Sequence, residues 1–116
     1  MLIIRDRQMA AFIKQACLDF ERAAMRDLMM IYPEECEEMG SSKLLSFVRH
    51  GVEKALRYQI DQEEDILSFL YLAIENGESF DQDPAFPACR AILEHRSLTG
   101  QAKIDLLYEL FETTEG

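Results

Sequence analysis

The stretch Asp61–Asp83, DQEEDILSFLYLAIENGESFDQD, most constrains what this chain can fold into. Asp61 and Glu64 are spaced as a capping box, in which an N-terminal side chain accepts from a helix amide and the later acid reaches back. Apolar residues then fill Ile66–Ile74 around most of a helix circumference, and Gly77 suits a C-terminal cap. The stretch therefore predicts a central buried helix near residues 62–76.

Helical periodicity continues on both sides of this stretch. Apolar residues recur every three or four positions from about Asp6, which predicts a long N-terminal helix that ends near Pro33. Its apolar end, Met29–Tyr32, is expected to be buried. The segment from Pro33 predicts a short acidic helix closed by Gly40. Further helices are expected from residue 41 to about 58, from Pro87 to about His95, and after a cap at Thr99.

These elements together predict an all-α fold. We expect a single domain over residues 1–116, a compact bundle or orthogonal array of five to six helices, because the connections are short. Residues 1–5 are expected to form an extended arm and residues 113–116 a frayed tail. Gly51 lies inside a helical pattern, where it permits close approach of a neighbouring helix.

Composition narrows the classes of partner. The net charge of −10 argues against nucleic acid or an anionic membrane as the main partner, since both repel such a surface. The longest apolar run, Phe69–Ile74, is far shorter than the roughly 20 residues that span a bilayer. Cys17, Cys36 and Cys89 form no close pair, which is typical of reduced thiols. We expect a cytoplasmic protein.

No catalytic or metal-binding pattern is recognisable. Two histidines and three cysteines are scattered without the close spacing that zinc sites use, and Asp81-x-Asp83 lacks the glycine and glutamate of a calcium loop. Neither Cys17 nor Cys89 has the surroundings of an activated nucleophile. We therefore expect no catalytic residue, no metal and no cofactor, and a protein that is not an enzyme.

Charge is segregated along the chain. Residues 61–83 contain eight acids and no base, whereas residues 41–60 form the one basic helix. The two segments complement each other within the molecule, or the acidic segment docks a partner. The sequence leaves both interpretations open.

Four segments, LIIRDRQMAAF, RHGVEKALRYQI, DQEEDI and FDQDPAFP, resemble a family of small all-helical accessory proteins encoded beside type VI secretion spike and effector genes. The family pattern often has Tyr-Gly-Ile where this chain has Tyr58, Gln59 and Ile60. The resemblance implies a non-enzymatic adaptor or co-chaperone for an effector or its loading partner. The candidate partner-binding residues are Tyr58, Glu63, Asp65, Asp81, Asp83 and Phe86.

A second interpretation belongs to another class. An acidic protein can cover the basic site of a toxin, so an immunity protein, a stoichiometric toxin inhibitor, is the alternative. The expected partner is accordingly a protein, namely an effector, an adaptor or a toxin. The sequence leaves the oligomeric state open.

Overall fold

The computed structural model describes residues 6–115, with side chains for residues 18–112, and every regular element in this part is helical. The five α-helices are α1 (Asp6–Ile31), α2 (Pro33–Arg57), α3 (Glu63–Asn76), α4 (Pro87–Leu93) and α5 (Gly100–Glu115), with a short 3-10 turn at Phe80–Gln82. The all-α fold class, the helix number and the long N-terminal helix are confirmed. The predicted arm at residues 1–5 lies outside the described residues, and the helical backbone of α5 extends into the predicted tail.

The chain divides into two compact units, residues 1–45 and residues 46–116. The first holds α1 and the beginning of α2, and its buried apolar residues include Ala24, Leu28, Cys36 and Leu44. The second holds the rest of α2 and all later elements. That the whole chain acts as one domain stays a prediction.

The junction of α1 and α2 follows the sequence pattern, but one expectation there is wrong. Pro33 begins α2, and Gly40 interrupts it with φ 77° and ψ 165°, so a short acidic helix does end at this glycine. The apolar end of α1 is exposed rather than buried: Met29, Met30 and Ile31 keep 46%, 79% and 53% of their surface accessible. Apolar residues on all sides of a helix end do not guarantee a neighbour to cover them.

The core of the second unit is built on α3. Ile66, Phe69, Leu70, Leu72 and Ala73 are all buried, which confirms the buried helix near residues 62–76. A chain of aromatic rings continues this core from Phe69 to Phe80 and then to Phe111, with centroids 5.3 and 6.0 Å apart.

The ends of α3 and α5 show which capping signals are used. Gln62, not Asp61, is the N-cap of α3 and makes no side-chain capping bond, so the predicted capping box is wrong. Asp61 Oδ1 instead accepts from Gln62 Nε2 at 3.3 Å. Gly77 does cap the other end, with φ 108° and its amide bonded to the Ala73 carbonyl. Thr99 Oγ1 caps α5 by accepting from the Ala102 amide, as predicted.

No helix in the described part of the chain combines the length and apolar character required to cross a membrane.

Candidate functional site

A buried carboxylate organises the polar interior of the second unit. Asp81 has no accessible surface. Its Oδ1 accepts from Lys54 Nζ at 2.9 Å, and its Oδ2 accepts from the Tyr58 hydroxyl at 2.7 Å. We call Lys54, Tyr58 and Asp81 the Asp81 cluster.

Local backbone structure explains how the cluster assembles. Lys54 and Tyr58 are four residues apart, and the Tyr58 amide still bonds to the Lys54 carbonyl, so both side chains share one face at the end of α2. Asp81 lies in the 3-10 turn, directly after the buried ring of Phe80. Lys54 Nζ also donates to the Glu78 carbonyl at 2.9 Å, which ties the loop before this turn to α2.

The chain reverses directly after Tyr58 through a helix C-terminal motif. The Ile60 amide bonds to the Ala55 carbonyl and the Gln59 amide to the Leu56 carbonyl, the paired bonds of a Schellman motif. Gln59 has φ 65° and is the one non-glycine residue with positive φ in the described part of the chain. The Tyr58 carbonyl remains free to accept from Lys103 Nζ at 2.6 Å.

The pKa of Tyr58 favours a structural role for this side chain. Burial, followed by the hydrogen bond and charge of Asp81, raises the pKa of Tyr58 far above its ordinary value. Tyr58 therefore stays a protonated donor to Asp81 and is a poor proton acceptor at neutral pH. The arrangement fixes the α2 end to the turn at Phe80–Gln82.

The six candidate partner-binding residues occupy different environments. Tyr58 and Asp81 are brought together in the Asp81 cluster. Asp83 Oδ1 accepts from the Ala85 amide at 2.9 Å, and the half-buried Phe86 packs on Phe111 with centroids 5.4 Å apart. Glu63 is exposed at the start of α3.

Asp65, the last of the six, is buried in the first turn of α3. Burial and then the neighbouring acids Glu64, Asp105 and Asp61 raise the pKa of its carboxyl group. Partner contact by the six residues stays a prediction. Asp81 could contribute to it only through the side chains that it holds, because its own carboxylate is inaccessible.

Sequence reasoning did not identify the two lysines of this region. Lys54 lies in the basic segment of residues 41–60, and its spacing of four from Tyr58 is visible in the sequence. Lys103 is only 2% exposed. It lies four residues before the buried Leu107, so both side chains are on the buried face of α5.

Neither metal binding nor thiol chemistry is supported in the described residues. No three His, Cys, Asp or Glu side chains among them are grouped to hold a metal ion. Cys36 and Cys89 are buried free thiols. Burial first, and nearby carboxylates second, raise the pKa of both groups, which keeps the thiolate form scarce.

Comparison of the chain with protein-family models, with curated proteins and with solved structures gives no match.

Proposed function

We propose that this chain is a non-enzymatic, cytoplasmic protein-binding accessory factor, an adaptor or co-chaperone for a type VI secretion effector or its loading partner. The observation that supports binding is the exposed apolar end of α1, Met29–Ile31, which we call the Met patch. The secretion link rests on the sequence resemblance alone.

The chemistry of the Met patch suits a protein partner. Three consecutive large apolar side chains expose about half or more of their surface, whereas isolated exposed apolar residues are ordinary. Methionine side chains are flexible and polarisable, so they adapt to differently shaped apolar segments. The exposed Glu34, Glu35, Glu37 and Glu38 follow directly in the chain. A matching partner surface is an apolar segment flanked by basic residues.

The test is co-purification from the native host with the tagged full chain. We expect a secretion effector, adaptor or spike protein to be retained, and a Met29→Ser/Met30→Ser variant to lose it. Leu56→Ser is the matched control, because Leu56 is also 46% exposed but lies outside the Met patch. Undiminished retention by the double variant would overturn the role of the patch. Absence of any secretion component, or an unrelated set of neighbouring genes, would overturn the secretion link.

The exposed acids at the start of α3 support the alternative, an immunity protein. Asp61, Glu63 and Glu64 are all exposed, and the whole chain has a net charge of −10. Such a surface steers association with a basic toxin site, and this steering weakens with salt.

A separate test distinguishes the alternative. An immunity protein protects cells that express the toxin, and Glu63→Arg slows toxin association more at low than at high salt. Retention of an effector that is lost in the Met29→Ser/Met30→Ser variant but kept in Glu63→Arg, without any protection, favours the adaptor.

A further inference from the structure

The second unit contains a polar pocket of about 530 Å³ beside the Asp81 cluster. Its volume lies in the range of small-molecule sites. Seven residues line it: Arg57, Tyr58, Gln59, Leu93, Glu94, Arg96 and Lys103. Three of these side chains are cationic and one is acidic. This concentration of positive charge is unexpected in a chain whose net charge is −10.

Lys103 is the buried cation of this lining, with 2% of its surface accessible. Its ammonium group donates to the Tyr58 carbonyl at 2.6 Å, which uses one of three N–H donors. No carboxylate in the described part of the chain pairs with it. Burial lowers the pKa of Lys103, and no acid among the described residues opposes this effect. The ammonium group is therefore held at the pocket wall with donors to spare.

The two arginines add charge that the protein does not neutralise. Arg57 comes from the end of α2 and Arg96 from the connection between α4 and α5, and both are exposed. Neither forms an ion pair with a described residue. Glu94, the one acid of the lining, has its Oε2 bonded to Arg90 Nε at 3.0 Å, and Arg90 is not part of the pocket.

We propose that this pocket binds a small ligand that carries a phosphate group. The lining has two positive charges in formal excess, and a phosphate monoester carries about −1.5 to −2 at neutral pH. Donors arrive from three different elements, which suits the three outward oxygens of a phosphate better than a planar carboxylate. The half-buried ring of Tyr58 provides apolar surface for the organic part. The proposal does not depend on partner binding through the Met patch, which shares no residue with the pocket.

The experiment is a titration of the ¹⁵N-labelled full chain with inorganic phosphate, with ionic strength kept constant by exchange against NaCl. Arg57→Gln/Arg96→Gln is compared with Arg22→Gln/Arg26→Gln. The control removes the same charge from two exposed positions of α1. Amide spectra of the free variants verify that both are folded. Succinate is titrated in parallel as the carboxylate probe.

We expect saturable shifts at Gln59, Arg96 and Lys103 with phosphate. The pocket variant should bind at least about tenfold more weakly, because it loses two charge-assisted contacts. The control should keep the wild-type affinity. Unsaturated phosphate shifts, an equal loss in the control, or tighter saturation by succinate would each overturn the proposal.

Discussion

At the residue scale, the Asp81 cluster shows how a fully buried charge is tolerated. The carboxylate receives one bond from an ammonium group and one from a hydroxyl, so both oxygens are satisfied. Such an arrangement stabilises little relative to an apolar core, but removing one partner leaves the other uncompensated. The cluster therefore acts as a local determinant of how the Phe80–Gln82 turn sits on α2.

We predict that Asp81→Asn lowers the free energy of unfolding by about 2–3 kcal/mol. The new amide directs a donor at either Lys54 or Tyr58, and Lys54 loses its anionic partner. The loss stays below the extreme for buried pairs because the Lys54 side chain is 19% exposed. Urea unfolding measures the change.

Asp83→Asn is the matched control for this prediction. It removes the same charge two residues later, and an asparagine Oδ1 can still accept from the Ala85 amide. We expect a much smaller loss of stability. If Asp81→Asn and Asp83→Asn lose the same free energy of unfolding, the burial of Asp81 does not account for the effect of its substitution.

Asp65 leads to a pH-dependent prediction. Its pKa is raised in the folded state, so the folded protein binds more protons than the unfolded one between the ordinary value of 3.8 and the folded pKa. The penalty of its buried charge is fully present above the folded pKa and disappears as the pH falls toward 3.8. We therefore expect Asp65→Asn to be more stable than wild type at pH 7, with the difference shrinking on acidification.

Unfolding of both proteins between pH 7 and pH 4 measures this difference. Glu112→Gln, at an exposed position of α5, is the charge-matched control and should show no comparable dependence. A constant difference across the range would contradict the effect assigned to Asp65.

Individual contacts are the level at which sequence patterns are least informative. Tyr58 and Asp81 stand out in the sequence, but their pairing across 23 positions depends on the turn after α3. Gln59 occupies a positive-φ position that glycine adopts without steric cost. Periodicity alone does not separate a buried lysine such as Lys103 from an exposed one.

At the scale of elements, the packing of Leu70 of α3 against α2 depends on Gly51. A Cβ atom placed there would collide with Leu70 Cδ2, and Leu70 is fully buried, so it has little room to move. The side chain of Leu70, rather than the α3 backbone, fills the space beside Gly51, so the close approach of the helices themselves stays a prediction. A glycine inside a helix is unfavourable by about 1 kcal/mol relative to alanine, so this position trades helix propensity for packing.

We predict that Gly51→Ala is destabilised by about 1–2 kcal/mol, since overpacking outweighs the gain in helix propensity. Ser46→Ala is exposed on the same helix and should be neutral or stabilising. Combining Gly51→Ala with Leu70→Ala tests the mechanism, because the two changes should be less destabilising than their sum. Chemical unfolding measures the three free-energy changes. If the loss in the double variant equals the sum of the two single losses, the destabilisation by Gly51→Ala does not come from a collision with Leu70.

The sequence predicts where the helices begin and end far better than it predicts what packs against them. Periodicity, Pro33, Gly40 and Gly77 defined helices and their ends, because these signals act within a few residues. The predicted cap at Asp61 is wrong because α3 begins at Glu63, which makes Gln62 the N-cap residue. The predicted burial of Met29–Ile31 is wrong because burial depends on whether another element packs against these residues, and no local pattern encodes that.

At the scale of the whole molecule, acidity is the dominant property. A net charge of −10 opposes compaction through self-repulsion, while the buried Lys54–Asp81 pair is screened little by solvent ions. The exposed carboxylates therefore determine how stability depends on salt. The same surface that limits stability at low salt would steer a basic partner.

We predict that the melting temperature rises as NaCl increases from about 10 to about 150 mM, because the screening length falls from about 30 to about 8 Å. The rise should follow net charge. Glu37→Gln/Glu38→Gln reduces the charge at exposed positions and should flatten the dependence, whereas Arg22→Gln/Arg26→Gln should steepen it. Calorimetry on the wild type and the two double variants measures the salt dependence of each melting temperature. Identical salt dependence in all three would mean that specific ion binding, not self-repulsion, controls the stability of this acidic chain.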